Sequence, residues 1–412
     1  MKDVPIGNDD FKDLRNNEGY YVDKSNLIQE ILSKKNTKVF LFTRPRRFGK
    51  TLNMSMIDAF FNMKYKGNDW FEGLNISCSK ELMDVRNTCP VISMDLKGLN
   101  LVDMQSFLDS FSIKIRDLCI GHGYLADSDL DPELLREFEK IKKRQGSRSD
   151  LEGSLRLLTK LLKSHHGKDA IILIDEYDNP INSSYGLDIQ KDIISFMRNL
   201  LTNALKGNDS LRFGVITGVM QIAKESIFSG LNNLYVNNVL STDFDEEYGF
   251  TESEVKEMLS YFGHPERFDE VRDWYDGYRF GNAEIYNPWS LLNYIAQNFR
   301  PAAYWAGTSG NDILDALIDN ADDDVWQELI ELGNGNTVTK QIKTTVTMDD
   351  ITKGGNAIYS VLVMSGYLNA IENDGLYELS IPNNEMRSVY LMSCPTGWPK
   401  APGSISEGSS KP

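Results

Sequence analysis

Gly49, Lys50 and Thr51 close the stretch TRPRRFGKT, and Asp175 and Glu176 lie inside the stretch IILIDEYD. These residue types in these settings suit phosphate chemistry. A glycine accepts positive φ and lets a phosphate approach the backbone closely. Consecutive N–H groups at a helix N-terminus cradle phosphate oxygens. A lysine after the glycine reaches the β- and γ-phosphates, and the following hydroxyl binds Mg²⁺. An aspartate ending an apolar strand suits a Mg²⁺-bound water. A glutamate directly after it polarises an attacking water as general base. Lys50 and Glu176 are therefore candidate catalytic residues, and Thr51 and Asp175 candidate metal-site residues.

The first stretch departs from the usual Gly-x4-Gly-Lys-Ser/Thr spacing. Arg44 stands where the first glycine belongs, Pro45 follows, and Arg46, Arg47 and Phe48 fill the middle. Proline fixes φ, so Arg44-Pro45 supplies a turn by other means. Arg44 then adds charge close to the phosphates or packs beside them. Arg46, Arg47 and Lys224 are candidates for stabilising γ-phosphate charge. Thr217, near the end of LRFGVITG, is placed either to touch the γ-phosphate or lytic water or to cap the next helix.

The elements that must position these groups follow from hydrophobic patterning. VFLFT (Val39–Thr43), PVISMDL (Pro90–Leu96), AIILID (Ala170–Asp175) and LRFGVITG are apolar runs, as expected of strands buried on both faces. YVNNVL is a fifth. Helical spacing follows the first run, with Leu52, Met56, Ala59, Phe60 and Met63 on one face. The segment MQIAKESIF after Gly218 reads as a helix. Strands alternating with helices predict an α/β fold of the P-loop NTPase type, a parallel sheet with helices on both faces. Ligands bind such sheets at the carboxyl edge, where both motifs would meet.

The strand–helix rhythm stops at Thr242. Residues 1–241 are therefore expected to form the core with a lead-in, and 242–345 a helical, lid-like region. Thr251 and Glu254 have capping-box spacing. In WYDGYRF (Trp274–Phe280), Asp276-Gly277 predicts a tight turn and the aromatics a structural anchor. Residues 346–392 read as helix, hairpin, helix, with Asn373-Asp374-Gly375 at the turn. That order predicts a winged-helix-like module. Residues 393–412 read as a disordered tail, rich in Pro, Gly and Ser.

The chain carries a net charge of −16 and 25 % charged residues. An acidic balance gives nucleic-acid binding no support. No apolar run approaches the ~20 residues that span a bilayer. The four cysteines and four histidines lack metal-ligand spacing. A cytoplasmic location with free thiols is expected.

Taken together, RPRRFGKT, ILIDEYDNP, ITGVMQIAKESIFSGLNN, WYDGYRFGNAEIYNPWSLLNY, SGNDIL and IPNNEMRSVY resemble the AAA-ATPase-like proteins of bacteria and archaea. These are P-loop ATPases often followed by a PD-(D/E)XK nuclease-like domain. The resemblance covers roughly residues 5–392. It implies ATP binding through Arg44–Thr51, Mg²⁺ near Thr51 and Asp175, and hydrolysis assisted by Glu176. It also implies that Tyr20–Lys24 closes over the adenine. Two departures stand out. Gln221 occupies a position where the family commonly has arginine, which would slow or abolish hydrolysis while leaving binding. The chain also reads as truncated before any nuclease-like part, so no nuclease activity is expected. Three readings stay open: an ATPase, a nucleotide-binding switch or interaction protein with little turnover, and an inactive remnant. A protein partner or self-association fits the second. No base-reading motif separates ATP from GTP.

Overall fold

The structure, a computed structural model, describes residues 2–222, 228, 231, 233–306, 314, 317, 322–346 and 355–393. Its strands begin with β1 (Val39–Thr43), β2 (Val91–Asp95), β3 (Ala170–Asp175), β4 (Leu211–Gly218), the short β5 (Gln221–Ile222) and β6 (Leu234–Asn237). Five of these form one parallel sheet in the order β2-β3-β4-β1-β6. Alternate residues of the central strands feed different cores. Phe40, Phe42, Ile171, Leu173 and Val215 pack on one face. Val39, Leu41, Ile172, Ile174 and Ile216 pack on the other. Every residue of β1 and β3 is buried. The sequence is apolar without alternation here because both faces are covered by protein.

The helix Lys50–Phe61 follows β1 and lies on the first face, where Met56, Ile57 and Phe60 join the core. Helices Met104–Gly121, Arg148–His166 and Gln190–Leu205 cover the second face. Register aligns the strand ends: Thr43 lies opposite Gly218, Ile174 opposite Ile216, and Asp95 opposite Asp175. The carboxyl edge therefore gathers the loop after β1, the acidic pair after β3 and Thr217 of β4.

The segment after β4 differs from the expected helix at its start. Asp178 Oδ2 accepts the N–H groups of Val219 and Met220 at 2.8 and 3.2 Å. Tyr177 Oη donates to the Met220 carbonyl at 2.7 Å. These bonds hold the chain extended, and β5 pairs in parallel with β11 (Thr345–Val346). The rest of that segment, with Lys224, lies outside the described residues, as does the tail beyond 393.

Residues 242–345 contain the helices Glu252–Tyr261, Phe268–Tyr275, Pro288–Ala296 and Asp323–Gly333. They also contain an antiparallel sheet, β7 (Phe250–Thr251), β9 (Ala283–Tyr286) and β8 (Tyr278–Phe280), absent from the sequence reading. Its strands are too short to show periodicity. The capping box forms at Thr251 and Glu254. β10 (Val338–Lys340) joins β13 (Leu376–Ser380) and β12 (Asn369–Asn373) in a further antiparallel sheet. Asp374 and Gly375 both have positive φ at the hairpin tip, as a tight Asp-Gly turn requires. Helices Ala357–Met364 and Asn384–Ser393 flank this hairpin.

Gly277 is a close approach between these parts. Its φ is +88°, and a Cβ there would lie 2.1 Å from the Pro382 carbonyl oxygen. Gly277→Ala is expected to cost about 2–4 kcal/mol. Gly263, at φ +84° with nothing within 4 Å, isolates backbone strain alone, so Gly263→Ala should cost about 1 kcal/mol. Equal urea midpoints for the two variants would refute the close contact.

Candidate nucleotide site

Gly49 has φ +81° and sits directly before the helix Lys50–Phe61. The first-turn N–H groups of a helix lack intrahelical acceptors, so this end is open to an anion. Lys50 is buried, and its Nζ donates to the carbonyls of Arg44 at 3.0 Å and Pro45 at 2.9 Å. The lysine thus spans its own loop. Burial pushes its pKa down, while Glu176, Asp175 and Asp178 pull it up.

Thr51 Oγ1 donates to Asp175 Oδ2 at 2.7 Å. Thr217 Oγ1 donates to Asp175 Oδ1. One carboxylate is thereby gripped from the loop helix and from the neighbouring strand. Glu176 follows with φ +55°, a strained conformation for a residue with a Cβ. Its carboxylate pairs with Lys97 at 3.5 Å. Lys97 reaches it because β2 and β3 end side by side.

A cleft of about 440 Å³ runs past these groups, lined among others by Arg46, Arg47, Lys50, Thr51, Glu176 and Trp289. The lead-in residues Pro5–Asp9 contribute to its wall through Pro5, Gly7, Asn8 and Asp9. Arg46 and Arg47 are exposed. The Arg47 guanidinium lies 4.2 Å from the Trp289 ring centroid. The Arg46 carbonyl accepts from Trp305 Nε1 at 3.2 Å.

Arg44 is placed differently from Arg46 and Arg47. It is fully buried, and its guanidinium donates to Thr43 O, Asn237 O, Asn237 Oδ1 and Phe244 O. Tyr248 and Phe280 rings flank it at 4.9 and 5.2 Å. Burial pushes its pKa down to about 10. Its side chain ties the loop entry to the segment after β6, and its carbonyl serves Lys50. Phe48 is also buried, with ring centroids 5.0 Å from Tyr278 and 5.1 Å from Phe280. Pro45 packs so closely on Gly366 that a Cβ there would meet it at 2.8 Å. The loop is therefore held from behind by residues far along the chain.

Another cleft, of about 870 Å³, lies elsewhere. It is lined by β2 residues and by His122, Tyr124, His165 and His166. Burial pushes His122 down to about 4. It shares no residue with the loop.

Comparison with known proteins identifies the family of the chain. The family described as predicted AAA-ATPase matches residues 5–228, more than half of the chain. The chain belongs to this family. An uncharacterized protein encoded in the vnfD 5′ region of Azotobacter chroococcum mcd 1 is 30 % identical over 315 residues. That match takes in 74 % of this chain and 54 % of the relative, so the chain spans about half of its length. In the described residues no helix is long and apolar enough to cross a membrane.

Membership of the AAA-ATPase family implies nucleotide binding, usually with Mg²⁺. The donor set fits that ion. Mg²⁺ is commonly held by one or two carboxylates with phosphates and waters. Among the described residues no cluster of three or more His, Cys, Asp or Glu forms an all-protein cage. The oxygen donors present there are the Thr51 hydroxyl and the Asp175 carboxylate.

Several residues of the candidate site gave no sequence signal. Lys97 is a surface lysine by pattern, and Trp305 is a lone aromatic. Tyr177 and Asp178 complete DEYD, but they brace the exit of β4. Asp178, Glu385 and Glu247 are buried carboxyls pushed up to about 6, 7 and 8, in each case chiefly by burial. Their unfolded values lie near 4. Stability from these groups is full below that range and is lost as pH rises through 6 to 8. The melting temperature is expected to fall between pH 5 and pH 8, less steeply in Glu385→Gln. An identical slope in that variant would contradict the assignment.

Proposed function

We propose that this chain binds ATP with Mg²⁺ in the loop cleft and hydrolyses it. The observation that carries the reading is the convergence on Asp175 of the Thr51 and Thr217 hydroxyls, with Lys50 and Glu176 alongside. Lys50 exchanges its two loop carbonyls for β- and γ-phosphate oxygens. Thr51 and Asp175 would hold the ion, which would supply charge neutralisation for the phosphates. Glu176 leaves Lys97 and takes the proton of the attacking water. Thr217 orients Asp175 through its hydroxyl. Arg46 and Arg47, at the open side of the cleft, stabilise charge on the γ-phosphate. Arg44, Pro45 and Phe48 hold the loop in shape, and Tyr20–Lys24 border the base.

The region 242–345 acts as a lid-like wall, and 346–392, a winged-helix-like module, serves as its brace. Support for the brace lies in a chain of contacts. Glu385 accepts from Ser290 Oγ and from the Trp305 N–H at 2.9 Å, and Trp305 donates to the Arg46 carbonyl.

A second reading, a switch that binds and hydrolyses poorly, draws on two observations. Gln221 is uncharged, and its backbone is committed to β5. Glu176 is already paired with Lys97. Phosphate release from ATP by purified protein, with Mg²⁺ and with EDTA, separates the readings. Mg²⁺-dependent release supports hydrolysis. Binding without release, restored by Gln221→Arg, supports the switch. Neither binding nor release by folded protein defeats both.

A further inference from the structure

Arg47 combines two unusual features. Its φ is +71°, which strains any residue with a Cβ. Its guanidinium lies over the Trp289 ring, 4.2 Å from the centroid, the shortest cation–ring contact among the described residues. Strain kept at a site points to a role for the side chain held there. Both residues line the phosphate cleft. The charged groups of its wall are Arg46, Arg47, Lys50 and Lys97 against Asp9 and Glu176. The cleft is therefore positive within a chain of net charge −16, which favours a polyanion.

The place of Trp289 is set without Arg47. The residue opens the helix Pro288–Ala296, where the Asn287 side chain accepts the Ser290 N–H at 3.2 Å. Trp289 Nε1 donates to the Tyr304 carbonyl at 3.2 Å. Its own carbonyl accepts from Asn293 Nδ2 at 2.8 Å. The neighbouring Ser290 Oγ donates to the buried Glu385. The ring is thus a fixed platform. A guanidinium that packs on a ring by its face presents its N–H donors edge-on, in the plane that matches two phosphate oxygens. An ammonium has no such plane.

We propose that Trp289 is a positioning residue that holds the Arg47 guanidinium edge-on to the γ-phosphate, so that the site distinguishes a nucleoside triphosphate from a diphosphate. The inference rests on the nucleotide reading above and adds the means of recognising the last phosphate. Lys50 is buried and spans the loop from within. Arg47 is exposed on the open side of the cleft, where the outermost phosphate comes to lie. Stacking confines the guanidinium before the ligand arrives, so less side-chain freedom is lost on binding. Because Trp289 belongs to the helix Pro288–Ala296, an Arg47–phosphate contact also ties that helix to the loop.

The test is a double-mutant cycle on the whole chain, read by equilibrium binding of ADP and of the non-hydrolysable β,γ-imido analogue of ATP, with Mg²⁺. Trp289→Leu and Arg47→Ala should each weaken the analogue about 10-fold and leave ADP within about twofold. The double variant should be no weaker than Arg47→Ala alone, since the tryptophan acts through the arginine. Trp289→Phe keeps a ring face and should hold the analogue within about threefold. Circular dichroism checks folding. Should Trp289→Leu misfold, Arg47→Lys carries the test, and it should weaken the analogue nearly as much as alanine does. Equal losses for ADP and the analogue, additive losses in the double variant, or full analogue affinity in Arg47→Lys would overturn the proposal and leave the nucleotide reading standing. Failure of both ligands to bind folded, unaltered protein would remove both.

Discussion

Glu176→Gln is expected to lower ATP turnover by about 10²- to 10⁴-fold, the span attributable to a positioned general base, with ATP affinity unchanged. Three features set this expectation. The residue follows the strand whose last aspartate is gripped by Thr51 and Thr217, so its backbone is fixed. It lines the cleft together with Lys50 and Thr51. Its charge is already balanced by Lys97 at 3.5 Å, so loss of the carboxylate removes no buried ion pair from the core. Glutamine keeps the shape and loses only the proton acceptor. Steady-state phosphate release beside equilibrium binding separates the two effects. An unchanged rate would show that another group activates the water.

Lys50→Met is expected to weaken ATP binding on the order of 100- to 1,000-fold. Methionine retains most of the apolar stem and deletes the ammonium. That group makes two hydrogen bonds to loop carbonyls. On the proposed reading the same donors would meet phosphate oxygens in the bound state, where each charged hydrogen bond contributes about 1.5–3 kcal/mol. The melting temperature of the ligand-free variant serves as the control for loop integrity. Affinity within threefold of the unaltered protein would place the phosphates elsewhere.

The parallel sheet is legible in the sequence because each central strand is an unbroken apolar run, and only burial on both faces makes such a run stable in water. Gly49-Lys50-Thr51 and Asp175-Glu176 are legible because local order, strand then motif, puts both at one sheet edge. The hairpin turn at Asn373–Gly375 is legible because an Asp-Gly pair tolerates positive φ.

Arg44 is the instructive opposite. An arginine inside a phosphate loop suggests a phosphate contact, yet its partners Asn237, Phe244 and Tyr248 arrive about two hundred positions later. Residue type carries no record of which distant carbonyls will surround a side chain. The same holds for Trp305 on Arg46 and for Lys97 on Glu176. The start of the segment after β4 shows the limit of periodicity. MQIAKESIF has helical spacing, but Asp178 captures the N–H groups of Val219 and Met220 and keeps the chain extended into β5. A tertiary hydrogen bond outweighs a local preference there.

Calorimetric titration of the whole chain with ATP, once with Mg²⁺ and once with EDTA, addresses the central claim most directly. The account predicts one saturable site per chain, tightened by Mg²⁺ because Thr51 and Asp175 complete the ion's shell with phosphate. A well-folded protein that takes up no ATP in either buffer would contradict it.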